Sequence, residues 1–309
     1  MSGDRGHIVV LAGGTGGAKL ARGLLDIVGS DDLTVIANTA DDIDIYGALV
    51  SPDPDLVTFW LADRIDERGW GLAGDTFAAM DMLGELGADA WFRLGDRDLA
   101  WCLERRRRVD AGETPTQALA ALARAVGVTA RVLPMSDEPV RTRVLARDSW
   151  FPFQDFMIRE RAVGPIDDVA FDGLDRARPT TQVLEAIASA RVIIIGPSNP
   201  VISIGPILSV HGMTEALRQA SAPIVAVSPI VAGEVVKGPT AAFMTFAGLP
   251  LGAAGIARAY AGIADGLLAD EDRGVTGIPV RVADTLMRDA GSRRAVAQSA
   301  LDAAAELAA

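Results

Sequence analysis

The sequence predicts an α/β protein: a Rossmann-like, mostly parallel sheet with helices on both faces and a small inserted subdomain. Short apolar runs rich in β-branched residues alternate with segments of helical periodicity, and each run ends in glycine, proline or polar residues. The runs show no polar alternation, which is typical of strands buried on both faces of a sheet. Strands that alternate with helices are joined by right-handed crossovers, and these make a sheet parallel.

Four apolar runs are predicted to be strands, and each leads into a loop of small or polar residues: 7–12, 33–37, 191–195 and 224–227. Helices are predicted in the segments with a period near 3.6 and in the alanine-rich C-terminus: 18–28, 117–126, 183–190, 213–219 and from 293 onward. Ligands of such sheets bind beyond the carboxyl ends of the strands, so the four loops form the predicted site.

The domain organisation follows from length and from a change of pattern in the middle of the chain. We expect residues 1–309 to form one enzyme domain, since 309 residues can bury a single large core. Alternating patterns at 140–146 and 151–161 follow the turn that opens near Leu133. They predict a small inserted subdomain at about 133–178.

Composition excludes several classes of function. The net charge of −12 repels a polymer of phosphates, so we expect no nucleic-acid partner. Cys102 is the one cysteine, which rules out an internal disulfide framework and fits a reducing, cytoplasmic location. No apolar run approaches the ~20 residues of a membrane span. With only His7 and His211, neither a Ser-His-Asp nor a Cys-His catalytic set is supported.

A glycine-rich segment follows the first predicted strand and opens the first predicted helix: Gly13, Gly14, Thr15, Gly16, Gly17 and, beyond Ala18, Lys19. Glycines let backbone N–H groups approach a phosphate, and the helix dipole favours the anion. The segment is not a Walker A loop, because Ala18 and Leu20 flank the lysine, and it is not a clean dinucleotide fingerprint. A tight turn is the alternative, but the position of the glycines between a strand and a helix favours a phosphate-binding loop.

An acidic cluster follows the second predicted strand: Asp41, Asp42, Asp44, Asp53 and Asp55. One or two carboxylates suit Mg²⁺, which leaves coordination sites for phosphate oxygens. Helix capping and turn formation explain the same residue types equally well.

Three further segments each have two interpretations. Arg93 and Arg97 in the 93–98 segment suit either a phosphate or surface ion pairs. Ser198 and Asn199 lie between two prolines at the end of a predicted strand. Their hydroxyl and amide groups could donate hydrogen bonds to a ligand, which we favour, or the segment could be a turn made rigid by proline. The basic run 105–108 predicts a solvated helix face rather than a nucleic-acid patch.

Taken in order, these segments resemble the 2-phospho-L-lactate transferase family, named CofD in archaea and FbiA in actinobacteria. The resemblance rests on the glycine segment, on 38–42, 51–55 and 94–98, and on later segments at 133–137, 153–156, 196–200, 228–230 and 283–287. It runs from the first strand nearly to the C-terminus.

The resemblance implies a transferase of coenzyme F-420 biosynthesis. Such an enzyme moves a phosphorylated three-carbon acid, phosphoenolpyruvate or 2-phospholactate, from a guanosine diphospho-linked donor to the deazaflavin alcohol Fo and releases GMP. It also implies Mg²⁺ as cofactor and a homodimer. Such chemistry needs positioning and charge neutralisation more than a protein nucleophile, which fits the residues present.

The resemblance also implies roles for individual residues. Asp41 and Asp42 would hold the metal, Asp42 and Asp55 would be catalytic, and Asp55 would orient or deprotonate the ribityl hydroxyl. The glycine segment, Lys19, Ser198 and Asn199 would bind the nucleotide phosphates. Asp53, Asp55, Arg93 and Arg97 would contact Fo, although archaeal family members have a lysine where this chain has Arg93.

Two other functions are considered. A related family of bacterial cell-shape proteins shares the glycine segment and is thought to bind sugar nucleotides without this reaction. A nicotinamide dehydrogenase is disfavoured because the glycine fingerprint fails. Among donors, we expect enolpyruvate or lactate to be preferred to glycerate. Pro197, Pro200, Val201 and Ile202 offer little to pair an added hydroxyl.

Overall fold

The computed structural model describes residues 7–235 and 238–308. Their strands are, in chain order, β1 (His7–Ala12), β2 (Leu33–Ala37), β3 (Ile43–Ile45), β4 (Ala48–Val50), β5 (Arg131–Pro134), β6 (Arg141–Ala146), β7 (Ser149–Pro152), β8 (Asp168–Asp172), β9 (Ala190–Ile195), β10 (Ile224–Val227), β11 (Ile230–Val231), β12 (Glu234–Val235), β13 (Gly266–Ala269) and β14 (Val280–Val282). The four runs predicted as strands are β1, β2, β9 and β10.

A helix is present in every segment for which one was predicted, although two of them end one or two residues before the predicted bound, at Ala125 and Ala188. The helices of residues 7–235 and 238–308 are α1 (Gly14–Val28), α2 (Pro52–Leu61), α3 (Ala78–Glu85), α4 (Asp96–Asp110), α5 (Pro115–Ala125), α6 (Thr181–Ala188), α7 (Gly205–Ser209), α8 (Met213–Gln219), α9 (Thr240–Phe246), α10 (Ala253–Ala259) and α11 (Ala290–Leu307). None of them is both long and apolar enough to cross a membrane.

The central sheet has seven strands in the order β14-β13-β10-β9-β1-β2-β5, and every neighbouring pair is parallel. This confirms the predicted fold class. The chain moves outward from β1 to β2 and β5, then returns to β9 and moves outward in the other direction. The strand order therefore reverses between β1 and β9, the point where open α/β sheets bind ligands.

Two apolar cores lie on the two faces of this sheet. Along β1, Ile8 and Val10 face the core formed with α1, α2, α5 and α11, while Val9 and Leu11 face the core formed with α6, α7, α8 and α10. All four side chains are fully buried. Burial on both faces explains why the strand sequences lack polar alternation.

A separate antiparallel sheet in the order β7-β6-β8 lies within 141–172. The alternating pattern of 151–161 continues as strand only to Pro152, and a π-helix follows at Asp155–Arg159. The π-helix buries Phe156 against Phe243 with ring centroids 6.3 Å apart. This packing holds the antiparallel sheet against the loops beyond β9 and β10.

Candidate active site

The loops beyond the strand ends enclose a cleft of about 330 Å³. Nine of the site residues predicted from the sequence line it: Gly13, Gly14, Thr15, Gly16, Lys19, Asp41, Asp53, Ser198 and Asn199. The loops after β1, β2, β9 and β10 all contribute, as the strand order requires.

The glycines of the first loop are needed for close backbone packing against the loop after β9. A Cβ atom on Gly16 would collide with the carbonyl oxygen of Pro197, and one on Gly13 would lie 2.7 Å from Cβ of Ser203. Gly14 is different, because its φ of +67° is the left-handed conformation that favours glycine. A larger residue would therefore be strained at each of these three positions.

The first N–H groups of α1 have no partner within the helix, as at any helix N-terminus, and residues 14–16 line the cleft. Gly13 is the N-cap and provides no side chain to bind these groups. One of them is already used, since the N–H of Gly14 donates to Oδ1 of Asp53 at 2.7 Å. The next N–H groups of this turn lie at the positive end of the helix dipole, an arrangement that suits an anion.

Ser198 and Asn199 are satisfied within the protein. The Ser198 hydroxyl donates to the carbonyl oxygen of Gly13. Asn199 Oδ1 accepts from the N–H groups of Val201 at 2.8 Å and Ile202 at 3.2 Å. Both residues line the cleft, but their side chains mainly hold the loop after β9 in place.

The carboxylates of Asp41 and Asp53 line the cleft together. Both side chains are buried, at 7% and 6% exposure. Burial, the nearby charge of Asp53 and that of Asp42 raise the pKa of Asp41, while burial raises the pKa of Asp53 to about 6. Two buried acids whose charged forms are disfavoured suit a divalent cation, whose charge would favour the ionised carboxylates.

Asp42 and Asp55 do not belong to this cleft lining. Asp42 accepts a hydrogen bond from the Ser51 hydroxyl at 2.7 Å and lines a neighbouring groove with Arg141. Burial raises the pKa of Asp42 to about 7. Asp42 is adjacent to Asp41 in sequence, but the backbone turns the two carboxylates toward different cavities.

Asp55 forms a buried ion pair with Arg105, and both side chains are about 95% buried. Trp101 Nε1 donates to Asp55 Oδ1 at 2.7 Å, and Arg105 also donates to the carbonyl oxygen of Leu49 at 2.9 Å. The prediction that the whole basic run 105–108 is solvated is therefore wrong for Arg105. Its helical spacing from Trp101 and Cys102, which are buried on the same face of α4, was the signal that could have shown this.

Arg93 and Arg97 also lie outside the cleft lining. Arg93 is half-exposed and pairs with Asp81 at 2.7 Å. Arg97 donates to the carbonyl oxygen of Ala73 at 3.0 Å and lines a separate pocket beside Phe59. The structure does not bring these two arginines together with Asp41 and Asp53.

Asp98 and Asp96 are both on α4, and their pKa values are shifted in opposite directions from the usual value of an aspartate. Burial and the charge of Asp55 raise the pKa of Asp98 to about 7, from 3.8. A hydrogen bond from the Thr76 hydroxyl and one from the N–H of Ala79 lower the pKa of Asp96. Protonated Asp98 therefore contributes stability that is complete below about pH 4 and is lost as the pH rises to about 7.

We expect Asp98→Asn to stabilise the protein at pH 8 and to leave its stability nearly unchanged at pH 4. The pKa shift of about three units, at about 1.4 kcal/mol per unit, sets the upper limit of the gain in stability. We therefore expect the free energy of unfolding to rise by roughly 2–4 kcal/mol at pH 8. The control is Asp96→Asn, which should lose stability at pH 8 because its carboxylate is favoured in the folded state. Urea unfolding at both pH values measures this, and a destabilised Asp98→Asn at pH 8 would contradict it.

Several residues that line the cleft were not identified from the sequence. Phe153 and Met157 reach it from the antiparallel sheet side, Ser228 follows β10, and Thr285 and Met287 follow β14. Lys19 Nζ donates to the carbonyl oxygen of Met287 at 3.1 Å, which ties the loop after β14 to α1. Residues 283–287 had contributed to the family resemblance, but no role was assigned to them.

Comparison of the sequence with known protein families identifies the family to which the protein with this cleft belongs. Residues 8–281 match the family described as 2-phospho-L-lactate transferase CofD. The chain belongs to the CofD family. Since the match spans both halves of the sheet, it includes every loop that lines the cleft except the loop after β14.

Relatives from archaea and bacteria agree with this family. A 2-phospho-L-lactate transferase from Methanosarcina mazei is 38% identical over 265 residues, which cover 85% of this chain and 87% of the relative. A phosphoenolpyruvate transferase from Streptomyces griseus is 39% identical and covers 97% of this chain and 99% of the relative. As a CofD family member, the protein is a transferase enzyme, and the alternatives of a regulatory binding protein and a dehydrogenase are set aside.

Solved structures agree with the fold. Two crystal structures of a UPF0052 family protein from Bacillus halodurans superpose with TM-scores of 0.62 and 0.64 and cover 96% of this chain. At 19% sequence identity they establish the shared architecture alone. The CofD assignment rests on the family match and the closer relatives.

Proposed function

We propose that this CofD family transferase moves a phosphorylated three-carbon acid, 2-phospholactate or phosphoenolpyruvate, from a guanosine diphospho-linked donor to the terminal ribityl hydroxyl of Fo. GMP is released, and the product belongs to coenzyme F-420 biosynthesis. The observation that carries the proposal is the cleft itself, where the N-terminus of α1 and the Asp41–Asp53 pair lie side by side.

The reaction makes one bond and breaks one. The acceptor hydroxyl oxygen bonds to the phosphorus that carries the acid, and the bond from that phosphorus to the bridging oxygen breaks. The bridging oxygen leaves with GMP, and the hydroxyl proton passes to a carboxylate of the cleft, directly or through water. The N–H groups of the α1 first turn hold the phosphates in line for this exchange.

We place Mg²⁺ at Asp41 and Asp53, rather than at Asp41 and Asp42 as the resemblance implied. Asp41 and Asp53 line one cleft, and the charge of Asp53 raises the pKa of Asp41, whereas Asp42 lines the neighbouring groove. Carboxylate oxygens are ligands that Mg²⁺ accepts, with sites left for phosphate oxygens. The bound ion would neutralise the charge that develops on the transferred phosphoryl group.

Asp55 is not proposed as the base. Its Oδ1 atom accepts from both Trp101 and Arg105, and its Oδ2 atom lies 3.9 Å from Cys102 Sγ. Asp55 is also two residues beyond Asp53 on α2. This ion pair instead anchors the first turn of the helix that presents Asp53. Contacts of Fo with Arg93 and Arg97 stay a prediction of the resemblance. Within the cleft, Phe153, Met157 and Ile202 offer an apolar wall to a flat ring.

The homodimer is also a proposal and rests on the family resemblance. The cytoplasmic location is a proposal that rests on the single cysteine, and the single enzyme domain with its insertion at about 133–178 is one that rests on chain length and on the change of pattern in the middle of the chain. Light scattering of the purified protein measures the oligomeric state. A mass equal to one chain at micromolar concentration would contradict the dimer.

The assay combines purified protein, Fo, Mg²⁺ and the three guanosine diphospho-linked acids in competition, with mass spectrometry of the products. We expect release of GMP and a phosphodiester of Fo. A folded protein that forms no product from any donor would contradict the proposed function.

Among the donors, we expect enolpyruvate or lactate transfer to exceed glycerate transfer. Of the four apolar residues on which this rests, Pro197 and Ile202 line the cleft. An added glycerate hydroxyl buried without a partner would be disfavoured by about 1–3 kcal/mol, roughly tenfold to a hundredfold in rate. Predominant glycerate transfer would contradict this pocket interpretation while leaving the transferase assignment intact.

A further inference from the structure

The loop between β14 and α11 buries a hydroxyl group in the cleft. Thr285 is 4% exposed and lines the cleft. Its Oγ1 atom has no hydrogen-bond partner among residues 7–235 and 238–308. A buried hydroxyl without a partner is unfavourable, so such a group in a binding cleft points to a partner that a ligand supplies.

Three other buried polar side chains of the cleft, those of Ser198, Asn199 and Ser228, differ from Thr285 in this respect. Ser198 donates to the carbonyl oxygen of Gly13, and Ser228 donates to the carbonyl oxygen of Ile230 at 3.1 Å. Asn199 Nδ2 lies 3.4 Å from the hydroxyl oxygen of Thr240. These groups hold loops together, whereas the Thr285 hydroxyl makes no bond that holds its own loop.

The surroundings of Thr285 suit an uncharged part of a ligand. Its neighbours Leu286 and Met287 also line the cleft and are apolar. The N–H of Leu286 already donates to Asp284 Oδ1 at 2.9 Å, so it is not available to a phosphate. Two cations are close to this loop, and both have partners in the protein: Arg288 pairs with Asp284 at 3.3 Å, and Lys19 Nζ donates to the carbonyl oxygen of Met287 at 3.1 Å. One hydroxyl beside apolar side chains fits a nucleoside better than a phosphate.

We propose that the Thr285 hydroxyl hydrogen-bonds the nucleoside part of the donor and that Thr285 is thereby a residue that positions the nucleotide. This inference rests on the proposed function, because it takes the cleft to be the donor site. The phosphates then lie toward the N-terminus of α1, and the nucleoside lies toward the loop after β14.

The test compares Thr285→Val, which removes only the hydroxyl from a side chain of the same shape, with Thr285→Ser, which keeps it. Isothermal titration with GDP, GMP and inorganic pyrophosphate is done on wild type and both variants. We expect Thr285→Val to weaken GDP and GMP binding by about fivefold to tenfold and to leave pyrophosphate binding unchanged. Thr285→Ser should bind all three within about twofold of wild type, since its hydroxyl can make the same bond.

Thermal melting without ligand separates binding from structure. Thr285→Val should melt at the same temperature as wild type or higher, because it removes a buried polar group that bonds nothing in the protein. A lower melting temperature would overturn the inference, as would unchanged GDP affinity or an equal loss of pyrophosphate affinity. Failure of the wild type itself to bind GDP or GMP would instead overturn the proposed function, and this inference with it.

Discussion

Asp41→Asn is expected to lower turnover by about 10²–10³-fold, equivalent to roughly 3–4 kcal/mol of lost transition-state stabilisation. The carboxylate of Asp41 faces the cleft beside Asp53 and is a proposed ligand of the divalent cation. Asparagine keeps the shape and can still accept from the Thr142 hydroxyl, which lies 3.2 Å from Asp41 Oδ1. The charge alone is therefore removed, and steady-state kinetics at saturating Mg²⁺ measures the effect.

The same substitution should stabilise the protein in the absence of metal. Burial and the charge of Asp53 raise the pKa of Asp41, so ionising Asp41 opposes folding. Stability is therefore lost as the pH rises through the pKa of the folded state, and an uncharged side chain escapes this loss. We expect a higher melting temperature than wild type at pH 8, with little difference at pH 3. Lower activity with higher stability is typical of a site that keeps like charges together for function.

Asp42→Asn is the matched comparison, since Asp42 is the neighbouring residue and is also a buried acid with a raised pKa. We expect it to gain stability at pH 8 but to lose much less activity than Asp41→Asn. An equal loss of turnover in both variants would favour the metal site of Asp41 and Asp42 that the resemblance implied. Full activity in Asp41→Asn would exclude the metal site proposed at Asp41 and Asp53.

Gly16→Ala is expected to reduce nucleotide affinity by about a hundredfold or more. The added Cβ would collide with the carbonyl oxygen of Pro197 and push the loop after β9 away from α1. That loop contains Ser198, whose hydroxyl donates to the carbonyl oxygen of Gly13. Displacing backbone that lines the phosphate site by even 1 Å can cost about 10²-fold in function. Titration with GDP measures the loss.

This reason differs from the approach of backbone N–H groups to a phosphate, for which the sequence suggested the glycines. A positive φ does not explain Gly16 either, because within this segment Gly14 has the positive φ, at +67°. Gly16 is required instead because two backbone segments approach closely. Only the packing of the β9 loop onto α1 shows this, since no residue pattern identifies Pro197 as the neighbour.

Gly23→Ala provides the control for Gly16→Ala. Gly23 is in the same helix and its Cβ would likewise collide with a backbone carbonyl, that of Arg293, but at the end away from the cleft. We expect both variants to lose stability in urea unfolding, while only Gly16→Ala loses GDP affinity in the folded state. Equal GDP affinity in folded Gly16→Ala and Gly23→Ala would show that the glycine-rich turn does not hold the nucleotide.

The core strands and the position of the site could be predicted from the sequence, because both depend on local patterns. The β1 run is apolar throughout, since successive side chains face two different buried cores. Once the sheet is parallel, the loops after its strands must gather at one edge. This is why Gly14, which follows β1, Asp41, which follows β2, and Ser198, which follows β9, could be expected in one cleft.

The roles of individual acids could not be predicted in the same way. Asp53 and Asp55 are both in the first turn of α2, yet one faces the cleft and the other pairs with Arg105 in the interior. A carboxylate two positions further along a helix points roughly 200° away, so neighbours in sequence meet different surroundings. The sequence shows the acids but not which of them Arg105 neutralises.

The sequence by itself determined that this protein is a parallel α/β transferase of the CofD family with its cleft beyond β1, β2, β9 and β10. Those conclusions depend on residue periodicity and on ordered motifs, which are properties of the chain alone. Only the tertiary structure decided that Asp41 is beside Asp53, that Arg105 is buried against Asp55 and that the Thr285 hydroxyl reaches the cleft. These three depend on contacts between segments far apart in the chain, such as α4 with α2 and the β14–α11 loop with α1. Burial and charge at such contacts are set by packing, which no local pattern encodes.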